Sequence, residues 1–111
     1  MSIIDESLIL SLKSKHPGCD LHQLGEDDAE DAIIVRTPSL AEWKTFKAMA
    51  RDENKAKAMD ATWWLVKVCT VHPEAAGLKA IVDRMPARVE TWGNKLAEFA
   101  GIQESIASKK L

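Results

Sequence analysis

Lys55-Ala56-Lys57-Ala58-Met59-Asp60-Ala61-Thr62-Trp63-Trp64-Leu65-Val66-Lys67-Val68-Cys69-Thr70-Val71 is the stretch on which the fold turns. It holds no Gly or Pro, and its apolar residues recur in no strand-like alternation. Ala58, Met59, Ala61, Trp63, Trp64, Leu65, Val66, Val68 and Cys69 cover most of a helical circumference. A helix that is apolar nearly all round must be covered on several sides, so the spacing predicts a central bundle helix over about residues 55–71. No uninterrupted apolar run approaches the ~18 residues that a membrane span requires.

Toward the N-terminus, Ser39 and Glu42 stand at capping-box spacing, followed by Leu40, Trp43, Phe46 and Ala50 at helical intervals. The charged run Arg51-Asp52-Glu53-Asn54-Lys55 interrupts that stripe, which predicts two helices rather than one long one. Toward the C-terminus, Pro73 is expected in the first turn of a helix striped by Leu78, Ile81, Val82 and Met85. Pro86 ends it and opens another, in which Val89, Trp92, Leu96 and Phe99 repeat at three and four. Gly101 suits the C-terminal cap, with Ile102 folding back on the helix and Gln103–Leu111 forming a frayed polar tail.

The first third is of a different kind. Asp5 can cap a short helix over Glu6–Lys15, with Ile4 and Ile9 placed as a hydrophobic staple. Pro17-Gly18 stops it. Cys19–Gln23 and Ala32–Arg36 read as the two strands of a hairpin that must lean on a helix. Between them Glu26, Asp27, Asp28, Glu30 and Asp31 repel one another, so an exposed, mobile loop is expected. The fold class is therefore mainly α with an α+β character: a small bundle of four to five helices and an N-terminal two-stranded β-hairpin. One domain over residues 1–111 is expected, with helix and hairpin in 1–38, the bundle in 39–101 and a tail in 102–111.

Charge and chemistry narrow the function. The chain carries a net charge of −2, which gives no electrostatic case for nucleic acid as the main partner. Residues 1–31 hold eight acids and two bases, and residues 32–111 hold nine acids and thirteen bases. The two halves can attract each other or present different faces to different partners. Asp5 and Glu6 stand where a basic leader region would lie, so a cytoplasmic protein without a membrane segment is expected. Cys19 and Cys69 make no disulfide framework. His16, Cys19 and His22, with Cys69 and His72, offer zinc donors, but their spacing fits no standard motif, so no metal and no cofactor is expected. The acidic loop lacks the ligand alternation of a calcium loop. With no phosphate-cradling loop, nucleophile elbow or HExxH, an enzyme is not expected and no residue is assigned a catalytic role.

The four tryptophans carry most of the aromatic surface in a chain with no Tyr. Trp43 and Trp92 fall on stripes and read as core. Trp63 and Trp64 stand about 100° apart on one helix, so one of them is expected to line a groove or an oligomer contact.

The segment Arg36-Thr37-Pro38-Ser39-Leu40-Ala41-Glu42-Trp43-Lys44-Thr45-Phe46 resembles the opening of the phage tail assembly chaperones of long-tailed bacteriophages, in which a basic-x-Pro-Ser/Thr turn precedes a helix with an aromatic pair. Val68-Cys69-Thr70-Val71-His72-Pro73, Met85-Pro86-Ala87 and Leu96-Ala97-Glu98-Phe99-Ala100-Gly101 follow in the same order, so the resemblance spans about residues 32–101. It implies a phage or prophage protein of the host cytoplasm that binds the tape measure protein and keeps it soluble during tail assembly. Tail tube subunits and a second copy of the chain are further candidate partners. The residues assigned to the partner surface are Trp43, Phe46, Trp63 and Trp64. The alternatives are a small interaction module of adaptor or antitoxin type and, more distantly, a helix-turn-helix DNA binder using Arg84, Arg88 and Lys95.

Overall fold

A computed structural model describes residues 4–101. Among the described residues five helices and three strands follow one another as α1 (Glu6–Lys15), β1 (Leu21–Leu24), β2 (Ile33–Arg36), α2 (Leu40–Ala50), α3 (Lys55–Cys69), β3 (Thr70–His72), α4 (Ala75–Arg84) and α5 (Arg88–Phe99). The mainly helical class and the N-terminal hairpin are as the sequence predicts. The expected back-fold of Ile102 and the tail Gln103–Leu111 lie outside the described residues.

The helix ends follow local chemistry. Asp5 accepts a hydrogen bond from the Leu8 amide at 2.8 Å, and Ile4 and Ile9 share one apolar cluster at the start of α1. At α2 the Ser39 hydroxyl accepts from the Glu42 amide while the Glu42 carboxylate accepts from the Ser39 amide, a complete capping box. The charged run does break the chain into two helices: Asn54 caps α3 by accepting from the Ala56 amide at 3.0 Å. Gly101 takes φ +104 immediately after the C-cap Ala100, a conformation that a side chain would oppose.

α3 ends two residues sooner than the sequence predicts, because Thr70-Val71-His72 is drawn into the sheet. The residue before a proline disfavours the helical region, and Thr and Val pack well in strands. The resulting sheet has order β1-β2-β3, antiparallel throughout. Ile34 opposes His72 and Val35 opposes Thr70, which leaves Val71 as the extra residue of a bulge. The third strand gives the hairpin the support that two strands alone lack. Pro73 does not sit in the first turn of α4 as expected; it precedes the N-cap Glu74, and the His72–Pro73 peptide is cis. Pro86 likewise stands just ahead of the N-cap Ala87 of α5.

β2 is the keystone. Ile33, Ile34 and Val35 are all buried, but on opposite faces. Ile33 and Val35 join Leu65, Val66, Cys69, Leu78, Ile81, Trp92 and Leu96 in the main core, whereas Ile34 joins Ile4 and Leu12 beneath α1. The sheet is thus sandwiched between α1 and the bundle, the period-two consequence of a strand with no polar face. The acidic loop is exposed, and it makes contacts on both sides. Glu30 pairs with Arg84 at 3.1 Å and Asp31 with Arg88 at 2.9 Å, and the Asp27 carbonyl accepts from the Ile4 amide at 3.1 Å. The acidic N-terminal third and the basic remainder thus meet at these two ion pairs.

Candidate partner-binding surface

Arg36, the last residue of β2, organises this surface. Its guanidinium donates to both carboxylate oxygens of Glu42, at 2.6 and 2.5 Å, and to the carbonyl of Val68 in the last turn of α3, at 2.8 Å. One planar fork thus joins the sheet to the start of α2 and the end of α3. The Arg36 hydrogen bonds hold the Glu42 carboxyl down to about 2, with the Ser39 amide and hydroxyl adding to the effect against a partial cost of burial. Pro38 is buried in the turn between them.

This fastening matters because α2 has no fully buried residue. Its Trp43 and Phe46 rings lie 5.1 Å apart, tilted by 39°, with one side on the core and the other toward solvent. Trp43 is therefore not the fully interior residue that its stripe suggests. Trp92 is, at 3% exposure. α2 is held at its N-terminus by the Arg36 fork and along its length by α3, so its aromatic pair can stay half open.

Neither Trp63 nor Trp64 is fully buried or fully exposed; both rest partly on the main core. Trp63 lines a groove of about 230 Å³ with Thr70, Pro73, Glu74 and Leu78, and the Lys67 ammonium stands 5.2 Å from its ring centroid. Met59, one turn earlier on the same face of α3, is 81% exposed. Trp43 and Phe46 are absent from that groove's walls, so the four candidate residues form no single cleft. Trp43 and Phe46 make one patch on α2; Trp63 belongs to another, at the junction of α3, β3 and α4.

Sequence reasoning singled out these rings and placed Arg36 in the turn before α2, but it did not show the role of Arg36, which is fixed only when β2, α2 and α3 meet. It also missed a groove between the hairpin and α5, lined by Leu24, Asp31, Arg88, Trp92, Lys95 and Phe99. The five-acid run was its one visible signal.

Two of the groups weighed for chemistry have other roles. Burial pushes the Cys69 thiol up to about 11, so it stays protonated and packs as a small apolar group. His22 stacks on Phe99 with ring centroids 3.7 Å apart and shares a 2.9 Å hydrogen bond with the Thr37 hydroxyl. Among the described residues no group of three His, Cys, Asp or Glu could hold a metal ion, and no helix is long and apolar enough to cross a membrane. Arg84, Arg88 and Lys95, the cations a helix-turn-helix reading would need, pair with Glu30, Asp31 and Glu98. Comparison with protein-family models, with curated proteins and with solved structures found no match.

Proposed function

We propose that this chain is a non-enzymatic tail assembly chaperone of a tailed phage or prophage, which binds the tape measure protein and keeps it soluble until the tail tube encloses it. The observation that carries the reading is the segment from Arg36 to Phe46. The residues on which the family resemblance rests are those that lock the start of α2, through Arg36 and Glu42, and hold the Trp43–Phe46 pair half open.

A tape measure protein is a long chain with apolar stripes, and exposed stripes of that kind aggregate. A helper must cover them and later leave, which calls for modest affinity at repeated sites and no covalent step. Half-open aromatic rings on a rigid helix suit that task, since an amphipathic partner helix docks through anchors at three- and four-residue spacing. The test is co-expression with the tape measure protein of the same genome. Soluble tape measure recovered in complex with this chain is the expected result. Equal insolubility with and without the folded chain rejects the assignment in favour of an adaptor-type interaction module.

A further inference from the structure

Between β1, the acidic loop and α5 lies an open groove of about 340 Å³. Leu24 and Phe99 supply its accessible apolar surface over the buried Trp92, and Arg88 and Lys95, paired with Asp31 and Glu98, its positive charge. Arg88, Trp92, Lys95 and Phe99 follow one another at three- and four-residue intervals, so a single face of α5 presents cation, ring, cation, ring. The loop contributes one carboxylate to the same groove: Asp31, bound to Arg88 at 2.9 Å. Gly25, at φ +109 and packed closely on Ala32, turns the chain out of β1 into that loop.

The geometry points to a docking site for an acidic segment of a partner protein, with an apolar anchor for the Leu24–Phe99 surface and a carboxylate for Arg88, a site in which Asp31 of the chain's own loop holds the carboxylate position until the partner displaces it. Three observations carry this. The groove already binds a carboxylate, so its charge preference is displayed by the molecule itself. Of the pairs that hold the loop, Glu30–Arg84 is exposed on both sides and Asp31–Arg88 on the arginine side, and ion pairs open to solvent contribute little net stability, so another carboxylate can compete for Arg88. The apolar surface then decides the balance, because the loop brings no large apolar side chain to it: between Gly25 and Ala32 its only apolar residue is Ala29. A segment with a Phe or Leu among acids offers what the loop cannot. The inference rests on this groove alone and not on the chaperone reading, whose aromatic residues lie on α2 and α3.

The experiment uses the full chain and a fluorescent synthetic peptide carrying one Phe flanked on both sides by glutamates, with a glutamine-flanked peptide as control. The glutamate peptide should bind with a falling affinity as salt rises, and the glutamine peptide about 10-fold more weakly, the scale of one charge-assisted hydrogen bond. Arg88→Gln should weaken binding to a similar extent. Asp31→Asn should strengthen it several-fold, because a competitor for the binding-competent state has been removed. A purely structural pair would give no such gain. Glu30→Gln should act in the same direction and serves if Asp31→Asn fails to fold. Amide and indole signals of Leu24, Trp92 and Phe99 should shift on titration, and those of α2 should not. Equal binding of the two peptides, or unchanged or weaker binding by both loop variants, overturns the proposal. So does competition by a single-stranded oligonucleotide at equal affinity, which would mark a general polyanion surface. Dimerisation of the free chain that is abolished by Asp31→Asn would assign the groove to a second copy's loop and equally overturn it.

Discussion

Arg36 of β2 makes three hydrogen bonds with one guanidinium, two to Glu42 of α2 and one to Val68 of α3. Removing it leaves the Glu42 carboxylate and the Val68 carbonyl without that partner in a part-buried setting. Arg36→Ala should therefore cost about 2–3 kcal/mol. Arg36→Lys should recover only part of this, since an ammonium cannot form the fork. The pair also sets an acid limit. Glu42 titrates at about 2 in the folded chain against an ordinary 4.5. A depressed carboxyl contributes stability that is fully present above about pH 4.5 and lost as pH falls toward about 2. Discounted for its partial exposure, that contribution is about 1–3 kcal/mol. Urea melts across this range should show the loss, and Glu42→Gln should flatten it. A pH profile unchanged by Glu42→Gln would mean that other carboxylates set the acid limit.

At the scale of elements, the contact between α3 and α5 depends on a residue that offers no side chain. A Cβ at Gly93 would stand 2.4 Å from Cγ2 of Thr62, far inside van der Waals contact. Thr is β-branched, with only two rotamers common in a helix, so it has little freedom to swing away. Gly93→Ala gains up to about 1 kcal/mol of helix propensity but must push α5 off α3, and overpacking of this kind costs about 1–3 kcal/mol. The net effect should be destabilising. In a Thr62→Ala background the clash is gone and the same Gly93→Ala change should become neutral or favourable. A double-mutant cycle by denaturant melts measures the coupling, and additive effects would mean that residues 62 and 93 do not meet.

For the whole molecule, interior and surface rings should separate in experiment. Trp92 lies in the main core, and Trp92→Ala should cost roughly 3–5 kcal/mol. Trp43 and Trp63 are half open, so their loss should cost about 1–2 kcal/mol of stability. If they belong to the partner surface, the same changes should cost about 2 kcal/mol or more in partner affinity. Because Trp43 and Trp63 occupy different patches, their effects on binding distinguish one contact from two. Loss confined to Trp43→Ala and Phe46→Ala would place the partner on α2; loss confined to Trp63→Ala would place it at the α3–α4 junction. Stability losses at Trp43 and Trp63 equal to that at Trp92 would make them ordinary core.

Local chemistry by itself determined the helix over Glu6–Lys15, the Ser39–Glu42 capping box, the break at residues 51–54 and the helices striped by Leu78 and Trp92, because caps and periodicity act within a few residues. The unbroken apolar run Ile33-Ile34-Val35 also announced a strand buried on both faces, a signal stronger than the hairpin reading used. Tertiary structure decided the rest. Thr70-Val71-His72 continues an apolar helix by periodicity, and becomes a strand only because β2 offers an open edge beside it. The acidic loop repels itself by composition, and two of its carboxylates gain partners only because Arg84 and Arg88 come to lie across from them, 54 and 57 positions along the chain. The role of Arg36 and the openness of Trp43, Trp63 and Trp64 have the same origin. Hydrogen-bond partners and solvent exposure depend on which surfaces the packed elements leave free, and residues far apart in sequence fix those surfaces.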